Sequence, residues 1–226
     1  MTVLLVVAKA PVAGLVKTRL CPPATPRQAA RIAAAALLDT VDAVRAVPEV
    51  TPVLAYAGWL ARAERSDEID RALAGWWLLP QRGAGFAARL ANAYADVAAR
   101  HPGRPVLQLG MDTPQVTPAV LTVAVDRLAG SDAVLGRACD GGWWTLGLRD
   151  PAHAEVLRGV PMSTPETGRL THRALVSRRL RVAALPTETD VDTWSDAVAV
   201  AERYAAGRFA AAVAAVAGAL TGGRPR

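Results

Sequence analysis

The chain has few of the residues on which small cross-linked or metal-stabilised proteins depend. Only two of its 226 residues are cysteines, Cys21 and Cys139, and they are too far apart to form a CxxC pair. This excludes a disulfide scaffold and a zinc ribbon and is typical of a reducing compartment. The three histidines, at 101, 153 and 172, show no paired ligand spacing, which argues against a histidine metal site.

Long apolar runs are also absent. Residues 3–8 form a run of six that ends at Lys9, and residues 209–220 form a run of 12, fewer than the ~20 that cross a bilayer. The first run lacks the basic segment that precedes the core of a signal peptide. We therefore expect a cytoplasmic protein with no membrane partner.

Runs of one charge are missing as well. Lys and Arg number 26 and Asp and Glu number 20, which gives a net charge of +6, but the arginines are scattered along the chain. A basic surplus suits anionic partners such as phosphates, whereas the scatter argues against a nucleic-acid partner. The hydrophobic fraction of 52 % excludes a disordered chain. The length predicts one domain over residues 1–226, with a disordered tail at 220–226.

Strand and helix patterns alternate along the chain. Residues 2–8 form a β-branched apolar run typical of a strand buried on both faces, and residues 26–47 form an alanine-rich helix with Thr25 as its N-cap. Further strands are predicted at 52–57, 76–79, 105–110, 132–135, 143–148 and 181–185, and further helices at 60–73, 86–100, 118–128, 150–157, 166–176 and 194–217. This alternation predicts an α/β fold, a single-domain three-layer sandwich with a mostly parallel twisted sheet.

A basic loop follows the first strand, at the edge where open α/β sheets bind ligands. Its candidate binding residues are Lys9, Pro11, Gly14, Lys17 and Arg19. Cations and free N–H groups ahead of a helix suit a pyrophosphate, and the alternative is a solvated basic turn. The loop is not a P-loop, because Val16 stands where that motif requires glycine.

Two acidic segments follow predicted strands. Asp112 comes directly after strand 105–110, where one or two carboxylates together with substrate phosphates would hold Mg²⁺. Asp190 and Asp192 precede the last helix and share one face of an extended segment. The alternative for Asp112, and for Asp192 or Thr193, is capping of the helix that follows.

A glycine-containing turn joins two further strands. Asp140, Gly141 and Gly142 form it, and Trp143 and Trp144 come next. Glycines let a backbone approach a ligand closely while Asp140 faces it, although a plain hairpin-like connection would have the same sequence. The two tryptophans alternate between faces, so one is expected in the core and the other along the cleft.

In combination, these segments resemble a known family. Residues 8–11, with Gly14 and residues 17–20, are similar to the opening signature of bacterial transferases labelled arsenosugar-type or radical-SAM-associated glycosyltransferases. The similarity continues at Gly110-x-Asp112-Thr113-Pro114, at residues 140–148, at Ser163-Thr164-Pro165 and at residues 190–193. Members have the GT-A fold of nucleotide-diphospho-sugar transferases. Gly85-Phe86-Ala87 departs from the family pattern, which has Asp-Leu-Gly there.

The resemblance implies a transferase whose partners are a nucleotide sugar or an NTP and a small-molecule acceptor. Glycosyl transfer is placed first because the family is labelled as glycosyltransferases. Nucleotidyl transfer is placed second, and the local residues favour it, because Asp112 stands alone rather than in an Asp-x-Asp pair. The chain also resembles phospholactate guanylyltransferases in its basic loop. An inactive nucleotide-binding module is the third hypothesis. The sequence leaves open a monomer or a homodimer.

The predicted roles of the site residues follow from the residue patterns and from the family resemblance together. Asp112 and Asp140 are expected to be catalytic, with Asp140 on the acceptor side. Asp112 and Asp192 are expected to bind Mg²⁺ or Mn²⁺, with Asp190 only orienting the segment. The residues expected to contact the nucleotide are Lys9, Pro11, Gly14, Lys17, Arg19, Gly141 and Gly142.

Overall fold

The computed structural model describes residues 1–222 as seven strands and seven α-helices that alternate along most of the chain. The strands are β1 (Thr2–Lys9), β2 (Val50–Ala57), β3 (Trp77–Pro80), β4 (Val106–Gly110), β5 (Ala133–Ala138), β6 (Trp143–Leu148) and β7 (Val182–Glu188). The helices are α1 (Pro26–Arg45), α2 (Ser66–Ala72), α3 (Gly85–Arg100), α4 (Pro118–Gly130), α5 (Thr167–Ser177), α6 (Trp194–Arg203) and α7 (Arg208–Gly222). Short 3₁₀ helices cover Thr18–Leu20, Leu60–Arg62 and Pro151–Gly159.

The strands form one sheet in the order β3-β2-β1-β4-β6-β5-β7. Every neighbouring pair is parallel except those made by β6, which is antiparallel to both β4 and β5. The predicted α/β fold with a mostly parallel sheet is therefore confirmed. Because β1, β4, β5 and β7 run in the same direction, the segments that follow them all emerge at one edge of the sheet.

Alternate residues of the central strand β1 enter two different cores. Leu4 and Val6 pack on the face covered by α1, α2 and α4, and Val3 and Leu5 pack on the face covered by α3 and α5. A third cluster lies on the far side of α1, where Ile32 packs with residues of α6 and α7. Helix α1 is thus buried on two sides, which explains its alanine-rich sequence.

The last predicted helix is divided in two. The expected helix at 194–217 is interrupted at residues 204–207, because Gly207 adopts a φ of 108° and the chain turns toward α1. A Cβ at Gly207 would lie 2.7 Å from the Asp39 Oδ2 atom. The Asp39 carboxylate accepts hydrogen bonds from the backbone N–H groups of Arg208 and Phe209, and in this way it caps α7.

Smaller differences concern element type and ends. The expected helix 60–73 divides at Arg65, whose φ is 60°, and the expected helix 150–157 is a 3₁₀ helix. Residues 220–222 of the predicted disordered tail belong to α7, and residues 223–226 lie outside the described residues. None of the helices in the described part of the chain is long and apolar enough to span a membrane.

Candidate active site

Four segments distant in sequence meet at one edge of the sheet. Lys17 comes from the loop after β1, Asp112 follows β4, Asp140 follows β5, and Asp190 and Asp192 follow β7. Neighbouring strands β1 and β4 lie where the order of strands reverses, which is the topological switch point at which open α/β sheets bind ligands. The sequence therefore brings one cation and four carboxylates to the expected place.

Lys17 lies between two of these carboxylates. Its Nζ atom is 3.2 Å from Asp112 Oδ2 and 3.1 Å from Asp192 Oδ1, and its side chain is only 14 % exposed. Burial by itself lowers the pKa of Lys17, but the charges of Asp112 and Asp192 outweigh it and hold the pKa above its ordinary value. The ammonium group thus stays charged and neutralises part of the acidic edge.

Arg19 extends the same network toward solvent. Its Nη1 atom is 3.3 Å from Asp192 Oδ2, and the arginine side chain is 76 % exposed. An exposed pair of this kind contributes little to stability, so the guanidinium remains available to a ligand.

The backbone fixes the position of Asp112. A Cβ at Gly110 would lie 2.3 Å from Asp112 Oδ1, so the carboxylate folds back over a position that only glycine leaves open. The Val191 N–H donates to the Asp112 carbonyl oxygen at 2.8 Å, which joins the segment after β4 to the segment after β7. The capping alternative for Asp112 is excluded, because Thr117 caps α4.

Asp192 does not cap α6, because another residue does so. Thr193 is the N-cap and forms a capping box with Asp196, whose carboxylate accepts from the Thr193 N–H. Asp190 and Asp192 therefore direct their carboxylates to the site rather than to the helix.

Three carboxylates form a tight acidic group beside Lys17. Asp140, Asp190 and Asp192 each offer an oxygen within 4.8 Å of the others. Burial, followed by the charges of Asp140 and Asp112, raises the pKa of Asp190 to about 6. The sequence predicts that Asp190 only orients the segment, but its carboxylate is a member of this group. Asp140 is a member as well, although the sequence places it on the acceptor side.

The two glycines after Asp140 serve packing within the chain. Gly141 has a φ of 91°, and a Cβ there would lie 2.0 Å from the Pro165 carbonyl oxygen. The Gly168 N–H donates to the Gly141 carbonyl oxygen at 2.8 Å, and Asp140 Oδ1 accepts from the Gly142 N–H at 2.7 Å. The close approach that these glycines permit is therefore made by Pro165, before α5, and by Gly168, in its first turn.

Both tryptophans after this turn are packed in the protein. The indole N–H of Trp143 donates to Thr171 Oγ1 at 3.2 Å, and that of Trp144 donates to the Pro186 carbonyl oxygen at 3.0 Å. Trp144 is buried as expected, whereas Trp143 packs against the α3 and α5 side of the sheet rather than along the cleft.

The other loop residues lie apart from the acidic group. Lys9 is exposed at the end of β1, the buried Pro11 accepts from the Glu64 N–H through its carbonyl oxygen, and Gly14 turns the loop with a φ of 77°. Within residues 1–222, none of the three makes an ion pair or hydrogen bond to the four carboxylates. Sequence reasoning missed the direct contact of Lys17 with the acids, for which local spacing gave no signal.

Comparison with protein families gives a match over more than half of the chain. Residues 40–164, which include Asp112 and Asp140, match the family DUF2064, described as "Uncharacterized protein conserved in bacteria". This chain belongs to that family. No curated protein matches it.

Solved structures show the same fold as this DUF2064 protein. A protein of Desulfovibrio desulfuricans G20, provisionally named a nucleotide-diphospho-sugar transferase, is 24 % identical with a TM-score of 0.76 over 87 % of this chain and 85 % of that one. Rv0371c of Mycobacterium tuberculosis H37Rv, solved in complex with manganese, is 23 % identical with a TM-score of 0.54 over 89 % and 99 %. A CMP:2-keto-3-deoxy-manno-octonic acid synthetase complexed with CTP is 11 % identical with a TM-score of 0.56 over 91 % and 98 %. The fold is thus of the nucleotide-diphospho-sugar transferase type.

Proposed function

We propose that this DUF2064 protein is a metal-dependent transferase that transfers a glycosyl group from a nucleotide-diphospho-sugar to a small-molecule acceptor. The observation that carries the proposal is the position of Lys17 between Asp112 and Asp192 at the switch point of the sheet. A cation flanked by carboxylates at this edge provides both charges that a metal–diphosphate complex requires, a positive group for phosphate oxygens and oxygen ligands for the ion.

The residues present fit Mg²⁺ or Mn²⁺. Both are hard cations that prefer carboxylate oxygens, and the acidic group offers three within 4.8 Å of one another. The raised pKa of Asp190 reports burial and mutual repulsion, and a bound cation would relieve the repulsion. Asp192 contacts Lys17 and also belongs to the acidic group, so we assign it as the central ligand, with Asp112 as its partner. The ion would neutralise negative charge that develops on the departing diphosphate.

Lys17 explains why nucleotide and metal would bind together. In the structure its ammonium compensates Asp112 and Asp192, so a metal ion would have to compete with it. Phosphate oxygens offer Lys17 an alternative partner, and once Lys17 turns to them both carboxylates are free. Arg19, already exposed, would bind the same phosphates.

Asp140 would act on the acceptor side. Its Oδ1 atom accepts from the Gly142 N–H, which fixes the carboxylate, and the residue is exposed at the end of β5. A carboxylate held in this way can orient an acceptor hydroxyl and accept its proton.

Similarity of fold supports glycosyl transfer as the first candidate. The D. desulfuricans protein, provisionally named a nucleotide-diphospho-sugar transferase, has a TM-score of 0.76, compared with 0.56 for the synthetase complexed with CTP. The complex of Rv0371c with manganese supports the choice of metal.

Nucleotidyl transfer is the second candidate, and one observation favours it. Only Asp112 supplies a carboxylate at the end of β4, since Thr113 and Pro114 follow it and Thr113 is buried. The other acids come from the segments after β5 and β7 rather than from an Asp-x-Asp pair. The same residues would then bind an NTP and release pyrophosphate.

The test is a set of turnover assays with nucleotides and nucleotide sugars, with acceptor candidates, and with Mg²⁺, Mn²⁺ or EDTA. Release of a nucleoside diphosphate supports glycosyl transfer, and release of pyrophosphate from an NTP supports nucleotidyl transfer. Binding of nucleotide without turnover would indicate the inactive module.

Two variants test the metal ligands. We expect Asp112→Ala and Asp192→Ala each to abolish metal-dependent turnover while the melting temperature changes little. Asp126→Ala, an exposed acid in the middle of α4, is the matched control and should behave as wild type. Turnover that persists in EDTA or in both variants would contradict a role for the metal.

A further inference from the structure

One half-buried arginine near the site has no acidic partner from the chain. Arg137 lies in β5, three residues before Asp140. Within the described residues, 1–222, no carboxylate oxygen lies within 4.0 Å of its guanidinium nitrogens. A guanidinium is permanently charged and carries five N–H donors, so an arginine without a carboxylate partner retains its capacity to bind an anion.

The local backbone makes room for this side chain. The register of β5 shifts at Gly136 and Arg137 in its pairing with β6, and between Gly136 and Ala138 in its pairing with β7. Such a shift marks a local irregularity of the strand, and irregularities of this kind redirect side chains and are common beside active sites. A Cβ at Gly168, in the first turn of α5, would lie 3.0 Å from Arg137 Nε, so the glycine leaves space for the guanidinium.

Arg137 also lines a small cavity between β5, β7 and α5. The cavity has a volume of about 220 Å³, and its lining residues are Leu135, Arg137, His172, Val182 and Ala184. Three of these are apolar and two are basic. A cavity below the ~300 Å³ of ordinary ligand pockets suits a small molecule with one anionic group and a short apolar part.

We infer that Arg137 binds the anionic group of the acceptor, so that the acceptor is a small acid bearing a carboxylate or a phosphate monoester. This inference rests on the proposed function. In the sheet, β4 and β6 separate β5 from β1, so Arg137 is distinct from the Lys17 and Arg19 pair assigned to the nucleotide. Arg137 lies three residues before Asp140, the residue assigned to the acceptor side, and its guanidinium has the fork geometry that binds carboxylates and phosphates alike.

The first experiment measures anion binding without nucleotide or metal. Lactate, glycerol 3-phosphate and inorganic phosphate are titrated separately into the protein by calorimetry. Tighter binding of lactate identifies the anionic group as a carboxylate. Tighter binding of glycerol 3-phosphate identifies it as a phosphate monoester. Binding of inorganic phosphate alone overturns the inference. We expect Arg137→Gln to weaken the preferred probe by about ten- to a hundredfold, as expected when a charge-assisted pair is lost.

Two further variants control for folding. Arg173→Gln removes an exposed arginine of α5 and should bind the probe as wild type does. Ala184→Leu fills the cavity from an exposed position on β7 and should weaken binding although Arg137 is retained. Wild-type affinity in either Arg137→Gln or Ala184→Leu would overturn the inference.

The outcome separates this inference from the proposed function. If anion binding depends on Arg137 but no nucleotide-dependent turnover is found, the proposed function fails and the anion site stands. If turnover occurs and Arg137→Gln leaves the KM for the acceptor unchanged, the anion site is wrong and the proposed function stands. The expected result is a raised KM for the acceptor with a smaller change in kcat.

Discussion

Lys17 adopts a left-handed backbone conformation, with a φ of 46° and a ψ of 40°, directly before the 3₁₀ helix at Thr18–Leu20. Non-glycine residues rarely adopt this conformation, and it is unfavourable by about 1 kcal/mol or more. In this protein the conformation accompanies contacts of the ammonium group with both Asp112 and Asp192. The free-energy cost of this backbone conformation is offset by the two ion pairs that the Lys17 ammonium group makes.

Arg19 gives a direct test of phosphate binding at the scale of one residue. We expect Arg19→Ala to lower the affinity for a nucleoside diphosphate with Mn²⁺ by ~1.5–3 kcal/mol, because a charge-assisted pair is lost. The measurement is calorimetry, and Arg178→Ala, an exposed arginine after α5, is the control. Unchanged affinity in Arg19→Ala would remove this residue from the proposed site.

Asp190 gives a test that depends on pH. Its folded-state pKa of about 6 lies above the ordinary value of 3.8, so the folded protein binds this proton more tightly than the unfolded chain does. The contribution of Asp190 to the free energy of unfolding therefore falls as the pH rises from about 4 to about 6.

We expect Asp190→Asn to melt at a higher temperature than wild type at a pH of about 7.5 in EDTA, because the buried charge is removed. The difference should disappear near a pH of about 3, below the ordinary pKa of 3.8, where Asp190 is protonated in both states. Thermal unfolding at the two pH values measures it, with Asp126→Asn as the control. A difference of equal size at both pH values would show that the effect does not come from ionisation.

The sequence predicted the place of the acids in the fold better than it predicted their contacts. Acids after parallel strands must emerge at one edge, and this topological rule was enough to place Asp112 and Asp192. The contact of Lys17 with both acids spans 95 and 175 residues of sequence, and no local pattern contains such information. The shared position of Asp140 and Asp190 depends on the order of strands in the sheet, which alternation alone does not fix.

At the scale of elements, helix α7 depends on an acid from another helix. Asp39 of α1 accepts from the backbone N–H groups of Arg208 and Phe209 and also contacts the Arg208 guanidinium. The sequence predicted a continuous helix here because the alanine-rich pattern continues through residues 204–207. The break arises from packing against α1, which is a tertiary effect that overrides local propensity.

We expect Asp39→Ala to lower the free energy of unfolding by about 1–2 kcal/mol, since an N-cap is lost at a side chain that is only 13 % exposed. Asp42→Ala is the matched control, because Asp42 contacts the same Arg208 but is 51 % exposed, and such pairs contribute at most ~1 kcal/mol. Denaturant unfolding measures both. Equal losses in the two variants would show that the ion pairs, rather than the cap, stabilise α7.

At the scale of the whole molecule, the sheet consists of two halves that contribute different residues to the candidate site. Strands β1, β2 and β3 with β4 form a parallel half that presents Lys17 and Asp112, and β5, β6 and β7 form a mixed half that presents Asp140, Asp190 and Asp192. The sequence predicted the alternation of elements and allowed a hairpin-like connection before β6, but it did not predict the insertion of β6 between β4 and β5. Strand direction follows from how a connection crosses the sheet, and a short turn such as residues 139–142 permits only an antiparallel return.

The hydrogen bond from the Val191 N–H to the Asp112 carbonyl oxygen connects these two halves at the site. A ribosome makes Val191 79 residues after Asp112, so the nascent chain contains the β4 segment while the candidate site is still incomplete. Hydrogen exchange at the Val191 amide therefore reports the order in which the candidate site assembles. The time at which this amide becomes protected from exchange with solvent marks the moment when the segment after β7 joins the segment after β4.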